Sequence, residues 1–314
     1  MSVYTELSRN DFETILADYE LGKLRGFQGI AAGIENSNFF IDTQGEQGSG
    51  RYVLTIFERM EPSELPYFMR LMKHLSHHGL VCPDVMVRRD GSLLFDVHGK
   101  LGCIVSCLSG KTLDALNPAQ LVAAGHVLAE LHAAGADFPE RRPSPTGYDW
   151  LTARATAMQA DVEKRYGIAA ASLLADELAW QGRQKLEGLP SGVIHGDLFV
   201  DNILFEGDAV SGVIDFYYAH DAAYAMDIAI SLNALAVHLS ADDTARMAAF
   251  LAGYETVRPL TEVEKAALPA LLRRAALRFW VSRLYDALYP RGGAMTQTKD
   301  PEEYRQKLLL HREA

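Results

Sequence analysis

Val193-Ile-His-Gly-Asp-Leu-Phe-Val-Asp-Asn-Ile-Leu-Phe205, followed by Ile214-Asp215-Phe216, is the stretch that decides the fold of this chain. Three oxygen-bearing side chains, Asp197, Asn202 and Asp215, fall among short apolar runs of β type, Val193-Ile194, Ile203-Leu204-Phe205 and Val213-Ile214. Gly207-Asp208 supplies a turn between the second and third runs. The polar groups are therefore expected at strand ends and in a loop, where they can converge. Phosphoryl transfer asks a protein for this set: a carboxylate to take the proton of an attacking hydroxyl, and oxygen ligands for a hard cation at the phosphates. In that chemistry Asp197 is the catalytic base, and Asn202 and Asp215 are the Mg²⁺ ligands. Any one of the three alone reads as an ordinary turn or strand-end residue; their combination at this spacing does not.

His195-Gly196-Asp197, Asn202 and Asp215 resemble the catalytic loop and metal-binding segment of the protein-kinase-like fold, with His-Gly-Asp in place of His-Arg-Asp and Asp-Phe-Tyr in place of Asp-Phe-Gly. The His-Gly-Asp form is similar to that of the aminoglycoside phosphotransferase and choline kinase branch, whose members phosphorylate small molecules. Within that branch the chain resembles the bacterial homoserine kinase family. The likeness runs from Met1-Ser-Val-Tyr-Thr5, through Gly29-Ile-Ala-Ala-Gly-Ile-Glu-Asn-Ser-Asn-Phe-Phe40, to Leu277-Arg-Phe-Trp-Val-Ser-Arg-Leu284. The resemblance implies an α+β, bilobal, protein-kinase-like fold: a small antiparallel β-sheet N-lobe over residues 1–106, a larger mainly helical C-lobe over 107–314, and an active site in the cleft. It also implies ATP and Mg²⁺ as cofactors and L-homoserine as the small-molecule partner. Choline, an aminoglycoside or a sugar remain open as acceptors.

Further residues take roles from the same resemblance. Gly33, Asn36 and Asn38 would lie over the nucleotide phosphates, and Val105, Ser106, Cys107 and Leu108 against the adenine. His195 would brace the catalytic loop, and Asp227 resembles a buried acid that cross-braces it. Homoserine carries an ammonium, a carboxylate and the reacting hydroxyl, so its site should combine an acid with an arginine. Candidates follow the metal aspartate, at Tyr217 and Asp221, and lie on a late helix, at Arg278 and Arg283. One departure counts against catalysis. Protein kinases carry a phosphate-pairing lysine on the third strand, where Thr55 stands here within Tyr52-Val-Leu-Thr-Ile-Phe-Glu58. A non-catalytic nucleotide-binding protein is therefore a third reading.

Pattern and composition agree with this architecture. Strands are expected over about 25–41 and 51–58, joined through a polar, Gly-rich stretch from Thr43 to Gly50. A helix capped by Ser63 should cover 63–78, and a hairpin should turn at Asp90-Gly91. Helices follow Asn117-Pro118 and cover about 150–165, 168–187, 224–239, 241–255, 261–289 and 301–311. His132, on the first of these, reads as a helix-face histidine. The 314 residues are 48% hydrophobic and 23% charged, ample for a substantial core. A net charge of −11 argues against a nucleic-acid partner. No apolar run approaches the roughly 18 residues of a membrane span, and the N-terminus lacks the order of a signal peptide; a cytoplasmic location is expected. Cys82, Cys103 and Cys107 form no metal-ligand pattern and read as small buried hydrophobes.

Overall fold

The computed structural model describes residues 4–30, 36–46, 48–290 and 299–313. The chain divides into two compact units: residues 1–110 with 211–214, and residues 111–210 with 215–314.

The first unit is built on a five-stranded antiparallel sheet in the order β1-β2-β3-β5-β4. Its strands are β1 (Lys23–Gly29), β2 (Asn36–Gly45), β3 (Gly48–Phe57), β4 (Phe95–Val97) and β5 (Lys100–Ser106), with helices α1 (Arg9–Ala17) and α2 (Leu65–His77). Alternation along paired strands sorts their side chains onto two faces. Phe39, Ile41, Leu54, Ile56 and Ile104 join Phe12, Ile15 and Leu16 of α1 in one apolar core. The pairings Asn38↔Thr55, Asn36↔Phe57 and Thr55↔Cys103 place those residues on the opposite face.

Local details of this unit differ from the sequence expectations. The stretch from Thr43 to Gly50 is mostly strand, because the β2–β3 ladder continues to Gly45↔Gly48. The hairpin turn lies at His98-Gly99, both at positive φ, between β4 and β5; Asp90-Gly91 closes a tight turn in which Ser92 returns hydrogen bonds to Asp90. Ser63 does not cap α2, whose N-cap position is Glu64, with Pro66 in the first turn. Cys82 and Cys103 are buried, whereas Cys107 is only half buried.

In the second unit α3 (Pro118–Ala134) starts at the expected Asn117, which forms a capping box with Gln120. The expected helix at 150–165 is two, α4 (Tyr148–Ala157) and α5 (Gln159–Tyr166), followed by α6 (Ile168–Gln181). Short strands β6 (Ser191–Ile194), β7 (Ile203–Glu206), β8 (Ala209–Val213, whose last three residues are grouped with the first unit) and β9 (His220–Ala223) then carry the motif region, β6 pairing antiparallel with β9. The chain ends in α7 (Tyr224–Leu235), α8 (Asp243–Glu255), α9 (Glu262–Leu288) and α10 (Pro301–Glu313). A core of Leu151, Leu174, Leu277, Trp280, Tyr304 and their neighbours joins α4, α5, α6, α9 and α10. No described helix is long and apolar enough to cross a membrane.

Helices α3 and α8 touch through backbone. A Cβ on Gly125 would lie 1.9 Å from the Phe250 carbonyl oxygen, and one on Gly253 would lie 1.9 Å from that of Val122. This crossing also bears on the position of His132, in the last turn of α3. Gly125→Ala is therefore expected to force the helices apart and to lower stability by about 1–3 kcal/mol, read in a urea melt. An unchanged midpoint would show that the crossing relaxes freely.

Candidate active site

The catalytic loop leaves β6 at Ile194 and is held chiefly by backbone bonds. His195 and Gly196 donate their N–H groups to the two carboxylate oxygens of Asp227, at 2.7 and 2.8 Å. Asp227 itself is fully buried in the first turn of α7. A third donor, His132 Nε2, reaches Asp227 Oδ2 at 3.0 Å. His132 Nδ1 lies 2.7 Å from the Tyr254 hydroxyl, which accepts from Arg258 at 3.1 Å. One proton arrangement satisfies the whole chain of contacts: Tyr254 donates to a neutral His132, and His132 donates to an ionised Asp227. Burial alone would raise the Asp227 pKa, but the His132 bond and the Gly196 N–H hold it below the usual aspartate value. Burial pushes His132 down, consistent with the neutral ring.

Gly196 has a structural requirement of its own. It sits at φ +76°, and a Cβ there would come 2.9 Å from His220 Cε1 and 3.0 Å from the Tyr218 carbonyl oxygen. Its own carbonyl accepts from Arg278 Nη1 at 2.8 Å. A side chain between His195 and Asp197 is thus excluded by both conformation and space.

Asp197 is fixed on both sides of its backbone. Its N–H donates to His195 Nδ1 at 3.3 Å, and its carbonyl accepts from Asn202 Nδ2 at 2.9 Å. With the amide nitrogen so used, the Asn202 side-chain oxygen is left as the acceptor end. Asp215 adopts a left-handed conformation, φ 65° and ψ 62°, immediately before a short turn of 3-10 helix at Phe216–Tyr218. Such a conformation in a non-glycine residue costs on the order of 1 kcal/mol and is concentrated at functional sites. Buried Phe216 packs against the His195 ring, centroids 5.0 Å apart. An amide oxygen and a carboxylate are the hard donors that Mg²⁺ takes when phosphates complete its shell; Asn202 and Asp215 fit it chemically.

On the first unit's sheet, Thr55 donates its hydroxyl to Asn38 Oδ1 at 2.8 Å. With its oxygen so used, Asn38 keeps its amide nitrogen as the donor end. Ser37, between Asn36 and Asn38, is wholly buried and tied to the opposite face: it accepts from the N–H groups of Tyr4 and Thr5, at 2.8 and 3.0 Å, and donates to Glu58. Glu58 in turn pairs with Lys100. Gly33 lies outside the described residues. Val105 and Ser106 end the β3–β5 ladder, with Ser106 exchanging hydrogen bonds with Asp84, and Cys107 and Leu108 continue past it.

The candidate substrate residues are spread out. Asp221 on β9 accepts from Arg141 Nη1 at 2.8 Å and from the Arg142 N–H at 2.7 Å. Tyr217 lies in the turn after Asp215. Arg283 bonds to Glu303 at 2.6 Å and to the Asp300 carbonyl. Arg278 alone of these four lines a cavity of about 190 Å³ beside the catalytic loop, and there it is joined by Arg274 and His220. Arg274 and His220 fall within the candidate substrate stretches of the sequence but are passed over for their neighbours, His132 reads as a helix-face histidine, and Tyr254 is not singled out. For Arg274 the signal existed, because residues four apart on a helix share a face and Arg274 and Arg278 are so spaced.

A family model described as the phosphotransferase enzyme family matches residues 26–262, and the chain belongs to that family. Across nearly its whole length it is similar to two proteins named homoserine kinase. It is 42% identical to that of Methylobacillus flagellatus over 99% of this chain and 95% of that protein. It is 43% identical to that of Neisseria meningitidis serogroup B over 98% and 99%. Among solved structures it resembles an amicoumacin kinase, with TM-score 0.69 and 17% identity over 98% of this chain and 92% of that one. It also resembles a spectinomycin phosphotransferase, with TM-score 0.68 and 12% identity over 98% and 95%. These structural likenesses establish the bilobal, protein-kinase-like α+β fold.

Proposed function

We infer that this chain is an ATP-dependent homoserine kinase, transferring the γ-phosphoryl group of ATP to the side-chain hydroxyl of L-homoserine and giving O-phospho-L-homoserine and ADP, a step of threonine biosynthesis. Full-length identity above 40% to proteins of that name carries the reading. The geometry of the 195–202 loop supplies the chemistry.

Asp197 accepts the hydroxyl proton as the substrate oxygen bonds to the γ-phosphorus and the bond to the β–γ bridging oxygen breaks. The loop's backbone bonds to Asp227, Asn202 and Arg278 keep that carboxylate in one place, which removes reorganisation from the barrier. Asn202 and Asp215 would hold Mg²⁺, which when bound neutralises phosphate charge. Thr55 replaces the strand lysine, and its hydrogen bond orients Asn38 as a neutral donor toward the nucleotide. Asn38→Ala is accordingly expected to raise KM for ATP by about 5- to 10-fold, the worth of one hydrogen bond, with a smaller change in kcat. An unaltered KM would remove Asn38 from the nucleotide site.

The assignment is tested by coupled ADP release with Mg·ATP against L-homoserine, L-serine, L-threonine, choline and an aminoglycoside. Highest kcat/KM on homoserine is expected. Higher kcat/KM on choline or the aminoglycoside would keep the kinase and overturn its acceptor.

A further inference from the structure

The 190 Å³ cavity beside the catalytic loop has an unusual charge balance for a chain of net charge −11. Its polar lining is Ser144, Thr146, Tyr148, His220, Arg274 and Arg278; the rest is glycine or apolar, and no carboxylate faces it. Arg278 is 95% buried, yet among the described residues its guanidinium meets one acceptor, the Gly196 carbonyl, and one ring, Phe279. Arg274 bonds to the Gln181 side chain and carbonyl and lies over Tyr148. Among the described residues neither arginine has a carboxylate at ion-pair distance, although the charges of Asp197 and Asp227 act on Arg278 from further off. Burial pulls both guanidiniums below their usual pKa, though an arginine stays charged throughout the working range. His220 donates Nδ1–H to the Tyr218 carbonyl at 2.7 Å and is held neutral by burial, so it brings neither a counter-charge nor a third cation.

A buried and a half-buried guanidinium facing a cavity whose lining holds no carboxylate make it a site for an anionic group. We propose that this cavity receives the α-carboxylate of the acceptor amino acid, with Arg278 and Arg274 as its cationic partners. The inference rests on the homoserine kinase reading and specifies how that substrate is chosen. Planar guanidinium forks match a carboxylate's two oxygens. The volume suits a small group, since a cavity of about 150 Å³ holds benzene. Its placement suits the reaction: Arg278 bonds the carbonyl of Gly196 and His220 packs on the same residue, so a carboxylate held by Arg278 lies next to the loop that carries Asp197. Homoserine anchored at one end has one more methylene than serine with which to carry its hydroxyl toward that base. A choline or aminoglycoside cation is repelled by the same two charges.

The test compares L-homoserine with aminopropanol, which is homoserine without its carboxylate, as acceptors for the full-length enzyme. The wild type is expected to favour homoserine by about 100-fold or more in kcat/KM, as two charge-assisted contacts would give. Arg274→Gln is expected to cut that preference by about 10- to 100-fold, mainly through KM for homoserine, and Arg274→Lys to restore part of it. The wild-type ratio needs no variant to fold. A wild-type ratio near one, or an Arg274→Gln enzyme slowed equally on both acceptors, overturns the proposal while leaving the kinase intact. A wild type that phosphorylates a different alcohol and neither of these two overturns the homoserine reading itself, and this inference with it.

Discussion

Replacing Asp197 by alanine is expected to lower kcat by about 10²- to 10⁴-fold, the usual contribution of a positioned general base, while ATP affinity stays within a few-fold of wild type. The expectation follows from how the residue is held. Its backbone N–H bonds His195 Nδ1 and its carbonyl bonds the Asn202 amide, and neither contact uses the side chain. Truncation should therefore remove the carboxylate while these two backbone bonds persist, so that Asn202 keeps its orientation. Steady-state kinetics with nucleotide titration by calorimetry would check both halves. Retained turnover would mean that another group takes the proton, and a parallel loss of nucleotide binding would mean that the loop had collapsed.

Asp227→Asn should be severe for a different reason. The native carboxylate accepts three N–H donors, from His195, Gly196 and His132. An asparagine offers one acceptor oxygen and turns an NH₂ group against donors, leaving buried groups unpaired. A loss of about 3–5 kcal/mol in stability is expected, comparable to breaking a buried ion pair, together with a fall in kcat as the 195–197 segment loosens. The same network sets a pH dependence. Because the folded Asp227 pKa lies below its unfolded value, its stabilisation is fully present above the ordinary aspartate range and is lost as pH falls below about 4. Urea melts between neutral and acid pH should show this loss in the wild type and a flatter profile in Asp227→Asn. Equal slopes would place the acid sensitivity elsewhere.

The candidate site was legible in the sequence where chemistry and spacing coincide. Asp197, Asn202 and Asp215 could be assigned roles from residue type and flanking strands alone, and the structure brings Asn202 directly onto Asp197. Helices with strong end signals, such as the one capped by Asn117, were legible for the same reason. Partners that meet only through tertiary packing were not. His132 and Tyr254 lie on different helices, and nothing local to either marks the contact through which they reach Asp227. Among the arginines of α9 the sequence pointed to Arg278 and Arg283, five residues apart and so on different faces; the cavity takes Arg278 with Arg274, and Arg283 packs against α10. The misplaced hairpin has a similar cause. Asp-Gly is a strong turn signal, but strand pairing chose His98-Gly99, where Phe95 and Val97 join the core.

The most direct test of the account is to follow the labelled γ-phosphate of ATP in a reaction with L-homoserine and to identify the product by phosphorus NMR. The account predicts that the label appears in O-phospho-L-homoserine with wild-type protein, and that no such product forms at a comparable rate with Asp197→Ala or Asp215→Ala. Label appearing only in inorganic phosphate, or product formed equally well by the variants, would contradict it.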